Sequence, residues 1–173
     1  MDQITEMISE EEIKAKVKEI ADIISEDYKG KTITAVSVLK GAFIFTADLF
    51  RTLSADVELN FIRAKSYLGT ESTGDVKIDC DSSFEVKGKD ILIIEDIIDS
   101  GQTLFALKNK FISMGCSSVK MVTFMDKPSR RVVDIHPDYC CFRIDDKFVV
   151  GYGLDYNEKY RELPYVGVLT PEN

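Results

Sequence analysis

Residues 90–103 read DILIIEDIIDSGQT, and the fold turns on how that stretch is interpreted. Ile91 to Ile94 form a short apolar run rich in β-branched side chains, which is the pattern of a strand buried on both faces. The run ends in adjacent carboxylates, Glu95 and Asp96, and a third, Asp99, follows two isoleucines later. After Ser100, Gly101, Gln102 and Thr103, the residues Leu104, Leu107, Phe111 and Met114 keep one face of a helix that Gly115 ends. Like charges this close repel, and a carboxylate beside a buried strand end is unfavourable unless something compensates it. The acidic corner therefore needs a partner.

Outward from this unit the same alternation continues. TITAVSVLKG predicts a mostly buried strand ending at Lys40-Gly41, and AFIFTADLFRTL predicts a helix with apolar residues on most sides. DVELNFIRAKSY alternates with Val57, Leu59 and Phe61 inward, a strand period. SVKMVTFM, YCCFRI and KFVVGYGL read as further strands. The first 30 residues read as a helix with a Ser9–Glu12 capping box, an apolar face of Ile13, Val17, Ile20, Ala21 and Ile24, and a stop at Gly30. Residues 66–75, SYLGTESTGD, are a polar loop long enough to serve as a lid, or else a loose hairpin connection. Strand and helix in alternation predict an α/β fold: a mainly parallel, twisted sheet with helices on both faces, in a single domain over residues 1–173.

Composition narrows the function. With 45% apolar residues in 173, the chain can build a real core. No apolar run approaches the ~20 residues that cross a bilayer, and the N-terminus has neither a basic nor an apolar leader region, so a cytoplasmic protein without a membrane partner is expected. A net charge of −8 disfavours nucleic acid as a partner. Cys80, Cys116, Cys140 and Cys141 form no CxxC pair and read as reduced, mostly buried thiols. A single histidine, His136, rules out a histidine-rich metal site and reads as a surface or turn residue.

In open parallel sheets ligands bind beyond the carboxyl ends of the strands. Residues 99–103 lie there, between strand and helix, where successive N–H groups and a helix N-terminus form a cradle for phosphate. Gly101 lets the backbone approach an anion, and Ser100 and Thr103 add hydroxyl donors. Neither GxxxxGK[ST] nor GxGxxG occurs. The carboxylates then need partners other than phosphate, namely sugar hydroxyls and Mg²⁺. A sugar carrying a phosphate satisfies both halves of the corner. The plainer reading is an acidic helix N-terminus with Asp99 as its N-cap.

An apolar strand, two acidic residues, two aliphatics, Asp, Ser, Gly and a following Thr resemble the phosphoribosyl-pyrophosphate (PRPP) motif of type I phosphoribosyltransferases. Asp99 is similar to the 6-oxopurine branch, the hypoxanthine-guanine phosphoribosyltransferases; other branches usually carry a small or apolar residue there. VLKGAFIF (38–45) resembles the family's pyrophosphate loop, KSYLGTESTGDVKI (65–78) its mobile catalytic loop, and DKPSRR (126–131) its purine-side lysine segment. KFVVGYGLDYNEKYRELPYVGVL (147–169) is similar to its C-terminal hood. The segments run in the family's order.

The resemblance implies transfer of the 5-phosphoribosyl group from PRPP to hypoxanthine or guanine, giving the nucleotide and pyrophosphate in purine salvage. It implies that Glu95 and Asp96 hold the ribose hydroxyls and a bridging Mg²⁺, and that Asp99, Ser100, Gly101, Gln102 and Thr103 cradle the 5-phosphate. Lys40, Gly41 and Arg161 would contact pyrophosphate, and the Leu39–Lys40 peptide would be cis. Lys127, Phe148, Val149 and Asp155 would form the purine side, with Asp155 also a ligand of a second Mg²⁺. Ser66 and Tyr67 would close over the site, and Asp99 would take the proton from N7 of the purine. A hood drawn mainly from about 127–173, and a homo-oligomer, dimer or tetramer, are also implied. Taken singly, Lys127 and Arg161 read as surface charges, Phe148 as core and Asp155 as a turn residue. The competing class on this fold is a regulator: a repressor would add a DNA-binding domain, for which 173 residues leave no space, and an RNA binder would show a basic face, which −8 argues against.

Overall fold

The central strand is the one that the acidic stretch announces. In a computed structural model of the chain, which describes residues 3–66, 76–79 and 84–170, β5 (Asp90–Ile98) lies beside β2 (Thr32–Val38) in the middle of a six-stranded sheet. The order is β4-β3-β2-β5-β6-β7, with β3 at Asp56–Ser66, β4 at Val76–Asp79, β6 at Ser118–Asp126 and β7 at Tyr139–Arg143. Five strands run parallel, and β4 is antiparallel to β3. Ile91, Leu92, Ile93 and Ile94 are each at most 1% exposed, as a strand covered on both faces requires.

The sheet is wound both ways from its centre. From β2 the chain crosses through α2 (Phe43–Thr52) to β3 on one side; from β5 it crosses through α3 (Gln102–Ser113) to β6 on the other. Because each crossover is right-handed, opposite directions put the helices on opposite faces. One core joins Ile13, Val17, Ile20, Ala21 and Ile24 of α1 (Glu10–Asp27) to Phe45 and Leu49 of α2, and a second joins Leu104, Leu107 and Phe111 of α3 to Ile91 and Ile93. The strand order reverses between β2 and β5, and their carboxyl ends frame the crevice where such sheets bind ligands.

A second sheet covers one end of the site. Its order is β1-β9-β8: β1 (Gln3–Ile8), β9 (Val166–Thr170) and β8 (Val149–Val150). Within residues 127–173, η1 (Pro128–Arg130) and β7 stay with the main sheet, while β8 and β9 build the small sheet with the N-terminal strand. Tyr152 fixes this hood to α2. Its ring packs 4.6 Å from Phe124, which in turn lies 5.4 Å from Phe45, and its hydroxyl donates to Asp48 at 2.7 Å.

Three expectations are corrected. The first 30 residues are not one helix: the capping box at Ser9 is formed, with Ser9 N–H donating to Glu12 Oε2 at 2.8 Å, but residues 3–8 ahead of it are a strand. Phe61 does not face inward; it is 45% exposed, while Ile62 on the other face of β3 is 1% exposed. The N-cap of α3 is Gly101, not Asp99. No helix among the described residues is long and apolar enough to cross a membrane.

Candidate functional site

The carboxyl ends of β2, β5 and β6 bring three loops together. After β2, the Leu39–Lys40 peptide is cis, and Gly41 lies flat against the acidic corner. A Cβ on Gly41 would sit 1.6 Å from Asp96 Oδ2, and a Cβ on Gly153 would sit 2.2 Å from the Gly41 carbonyl oxygen. The loop after β2, the Asp96 carboxylate and the hood turn are therefore stacked with no room for a side chain between them.

At the end of β5, Glu95 Oε1 accepts the Asp96 N–H at 3.1 Å, and Asp96 Oδ1 accepts the Ile97 N–H at 2.6 Å. Burial raises both carboxyl groups above their usual range, and the neighbouring Asp96 charge pushes Glu95 well above it. Residues 95–101, with Thr103 and Leu104, line a pocket of about 160 Å³. The α3 N-terminus opens at this pocket, and its N-cap residue, Gly101, has no side chain to cap it. Uncapped amides at a helix N-terminus attract an anion.

Gly101 is required by the packing of the protein itself. Its φ is 81°, and an added Cβ would fall 2.6 Å from Ile135 Cγ2 and 2.9 Å from Arg131 Cδ. The missing side chain makes room for the segment after η1. Gln102 N–H reaches Ser100 Oγ at 3.4 Å.

On the β6 side Lys127 is buried, with Nζ 3.8 Å from Asp99 Oδ1 and 3.9 Å from Asp146 Oδ1. Asp99 Oδ1 is itself buried and has no hydrogen-bond partner, whereas the carboxylate as a whole remains reachable. An acceptor and a donor thus stand side by side at the mouth of the crevice. Phe148 is 53% exposed and meets Tyr156 edge-on at 5.6 Å between centroids, so it is not core. Val149 follows on β8, the outer strand of the small sheet.

The hood contributes a charged chain. Arg161 donates to the Gly153 carbonyl at 2.7 Å and pairs with Asp155 Oδ1 at 2.8 Å. Asp155 Oδ2 accepts the Glu158 N–H at 2.9 Å. Lys40 Nζ reaches Glu158 Oε2 at 3.0 Å, so Lys40 and Arg161, far apart in sequence, share one neighbourhood. Ser66 ends β3, but its side chain and Tyr67 lie outside the described residues, as do residues 67–75 of the expected lid and Cys80. His136 is exposed and lies 3.5 Å from Asp134.

Several supporting residues carry little sequence signal of their own. Arg131 and Asp126 form a buried ion pair, and Arg131 also donates to the Asp99 carbonyl at 2.6 Å, tying the end of β6 to the loop after β5. A charged residue closing a buried strand, Asp126, was the available hint that a cation must follow. Asp146 takes a two-pronged contact from Arg130 at 3.1 and 3.3 Å beside Lys127, and only the fold brings these loops together.

The comparisons agree with this geometry. Residues 4–157 match the phosphoribosyl transferase domain family. The chain is 48% identical over 167 residues to the hypoxanthine-guanine phosphoribosyltransferase of Lactococcus lactis subsp. lactis (strain IL1403), covering 96% of this chain and 91% of the relative. It is 50% identical over 166 residues to the enzyme of that name from Bacillus subtilis (strain 168), covering 95% and 92%. A crystal structure of a hypoxanthine-guanine phosphoribosyltransferase from Bacillus anthracis superposes with a TM-score of 0.90 at 44% identity, over 99% of this chain and 100% of that one. A site at the switch point of a doubly wound sheet, an acidic corner beside an uncapped helix and this degree of identity lead to one assignment: the chain belongs to the phosphoribosyltransferase family.

Proposed function

We propose that the protein transfers the 5-phosphoribosyl group of PRPP to hypoxanthine or guanine and releases pyrophosphate. The observation that carries this reading is the Asp99–Lys127 pair, 3.8 Å apart beside the Glu95–Asp96 carboxylates. On a 6-oxopurine, N7 and O6 are neighbours on one edge. A carboxylate set to take a proton from N7 and an ammonium set to donate to O6 match that edge.

The chemistry follows from where charge develops. The bond between the ribose C1 and pyrophosphate breaks, its electron pair leaves with pyrophosphate, and the sugar becomes cationic at C1. The N9 lone pair of the purine forms the new bond, and the N7 proton passes to Asp99. The amides and hydroxyls of residues 100–103 would hold the 5-phosphate, Lys40 and Arg161 would meet the departing pyrophosphate, and Phe148 would stack on the base. Ser66 and Tyr67 would exclude water from the cationic sugar.

Mg²⁺ fits the acidic corner by donor type. Glu95 and Asp96 offer only oxygen, and two half-buried like charges are relieved by a hard dication. Asp155 would serve a second ion. Among the described residues no group of three or more carboxylate, thiol or imidazole side chains converges, so substrate oxygens and water would complete the coordination. Bound Mg²⁺ supplies positive charge that offsets the charge gathered on pyrophosphate.

The test is an absorbance assay of purified protein with PRPP, Mg²⁺ and each of hypoxanthine, guanine, xanthine and adenine. Nucleotide formation from the first two supports the reading. Salt-dependent RNA binding with no nucleotide formed would replace it with the regulator. Gly41→Ala is expected to lower kcat/KM for PRPP about 10²-fold, because its Cβ overlaps Asp96 Oδ2 and must displace one of them. Activity within threefold of wild type would show that this contact is not part of the site.

A homo-oligomer, dimer or tetramer, belongs to the same proposal. Phe43, Ala47 and Phe50 form an exposed stripe on α2, and Phe61 is exposed on the same side of the sheet. Sedimentation at micromolar concentration is expected to show a dimer or larger, and Phe50→Glu to dissociate it. A monomeric wild type would remove this part of the reading.

A further inference from the structure

The hairpin turn over residues 156–159 carries a side chain that its backbone does not favour. Tyr156 and Lys159 exchange both main-chain hydrogen bonds, at 3.1 and 3.0 Å. Between them Asn157 and Glu158 have φ of 51° and 63°. A two-residue turn with both angles positive is type I′, and its second position favours glycine. Glutamate there is held in a left-handed conformation that disfavours side chains with a Cβ. Such conformations persist where the side chain is used.

The use is visible. Glu158 Oε2 accepts from Lys40 Nζ at 3.0 Å and from Arg161 Nη2 at 3.3 Å. Asp155 braces the turn from beneath, accepting the Glu158 N–H at 2.9 Å. These are the two cations that the proposed reaction assigns to pyrophosphate. The Glu158 and Lys40 side chains are 64% and 57% exposed, so the contact is open to solvent and readily exchanged. Lys40 and then Arg161 hold the carboxyl below its usual range, which keeps it anionic at neutral pH.

We propose that Glu158 is an internal counter-anion of the pyrophosphate subsite: in the free protein its carboxylate occupies Lys40 and Arg161, and an incoming or departing pyrophosphate group exchanges places with it. The inference rests on the reading that Lys40 and Arg161 contact pyrophosphate. Its effect is to moderate affinity for that group. Lys40 is never left uncompensated and Arg161 never with Asp155 alone, and pyrophosphate leaves more easily because the protein supplies a replacement anion.

The experiment is titration calorimetry of the full chain with pyrophosphate in the presence of Mg²⁺, together with KM for PRPP. Removing the pairs to Lys40 and Arg161 by Glu158→Gln is expected to tighten pyrophosphate about three- to tenfold and to lower KM for PRPP by a similar factor. The gain should shrink between roughly 50 and 500 mM salt. Glu158→Gly, which the turn favours, should act in the same direction and carries the test if the glutamine variant folds poorly. Glu162→Gln removes a nearby exposed charge that makes no such contact, and should change affinity less than about twofold. Lys40→Ala tests the premise by weakening pyrophosphate. If Lys40→Ala has no effect, the pyrophosphate subsite is misplaced and the inference falls with it. If Lys40→Ala weakens binding while Glu158→Gln and Glu158→Gly leave it unchanged or weaker, the counter-anion alone is wrong. Equal gains in Glu158→Gln and Glu162→Gln would also overturn it, as a general field effect.

Discussion

Hypoxanthine is expected to be used at least ~10⁴-fold more efficiently than adenine, measured as kcat/KM. Lys127 is the reason. Its ammonium has three donors and no acceptor. It is buried and stands 3.8 Å from Asp99 and 3.9 Å from Asp146, so two carboxylates fix where it points. Against a 6-oxygen it makes a charge-assisted hydrogen bond. Against a 6-amino group it meets another donor, and a buried charge is left unpaired. Lys127→Gln should narrow the ratio to below ~10², because an amide can present either its donor or its acceptor. A wild-type ratio near one would refute the specificity. A large ratio unchanged in Lys127→Gln would leave the specificity standing and remove Lys127 as its cause.

Asp99→Asn is expected to lower kcat by ~10²–10⁴ while the dissociation constant for PRPP stays within about threefold of wild type. Asparagine keeps the shape of the side chain and removes its capacity to take a proton. The loop should survive the change, because it is held through its backbone: the Asp99 carbonyl accepts from Arg131 at 2.6 Å, and the Ser100 carbonyl accepts the Val132 N–H at 3.0 Å. Asp99 Oδ1 is buried without a hydrogen-bond partner, the Lys127 ammonium and Arg130 Nε standing beyond hydrogen-bond reach at 3.8 and 3.9 Å, so no donor already occupies that atom. Turnover within threefold of wild type would show that the proton goes elsewhere. Loss of PRPP binding together with turnover would assign Asp99 to binding instead.

What could be read from the sequence was local. Ile91–Ile94 and the spacing of Leu104, Leu107 and Phe111 carry strand and helix period within one window, and both elements stand where expected. The capping box at Ser9 is equally local. The strand ahead of it was not legible, because Gln3–Ile8 is polar at half its positions and its partner β9 lies at the other end of the chain. Only tertiary pairing makes it a strand; Gly167 opposite leaves room for Ile4, as an added Cβ would lie 2.4 Å from Ile4 Cγ2.

Phe61 shows the limit of alternation. Period two says which residues share a face, not which face is covered. Val57 and Leu59 are partly covered by the α1–α2 core, whereas Phe61, farther along the strand, is 45% exposed. The motifs placed the acidic corner, Lys127 and the hood in one family order, but not the groups that hold them. The Arg131 contact to the Asp99 carbonyl, the Asp146 contact and the Glu158 bridge each join residues whose proximity is a product of the fold. Gly101 was legible as a required glycine, but the atoms its missing side chain admits, from residues 131, 133 and 135, were not.

The most direct test of the account is ³¹P NMR of purified protein mixed with PRPP, Mg²⁺ and hypoxanthine. The expected result is loss of the PRPP signals with one-to-one appearance of pyrophosphate and a purine 5′-nucleotide, stopped by excess EDTA. Pyrophosphate with ribose 5-phosphate and no nucleotide, or PRPP left intact in the presence of every 6-oxopurine, would contradict it.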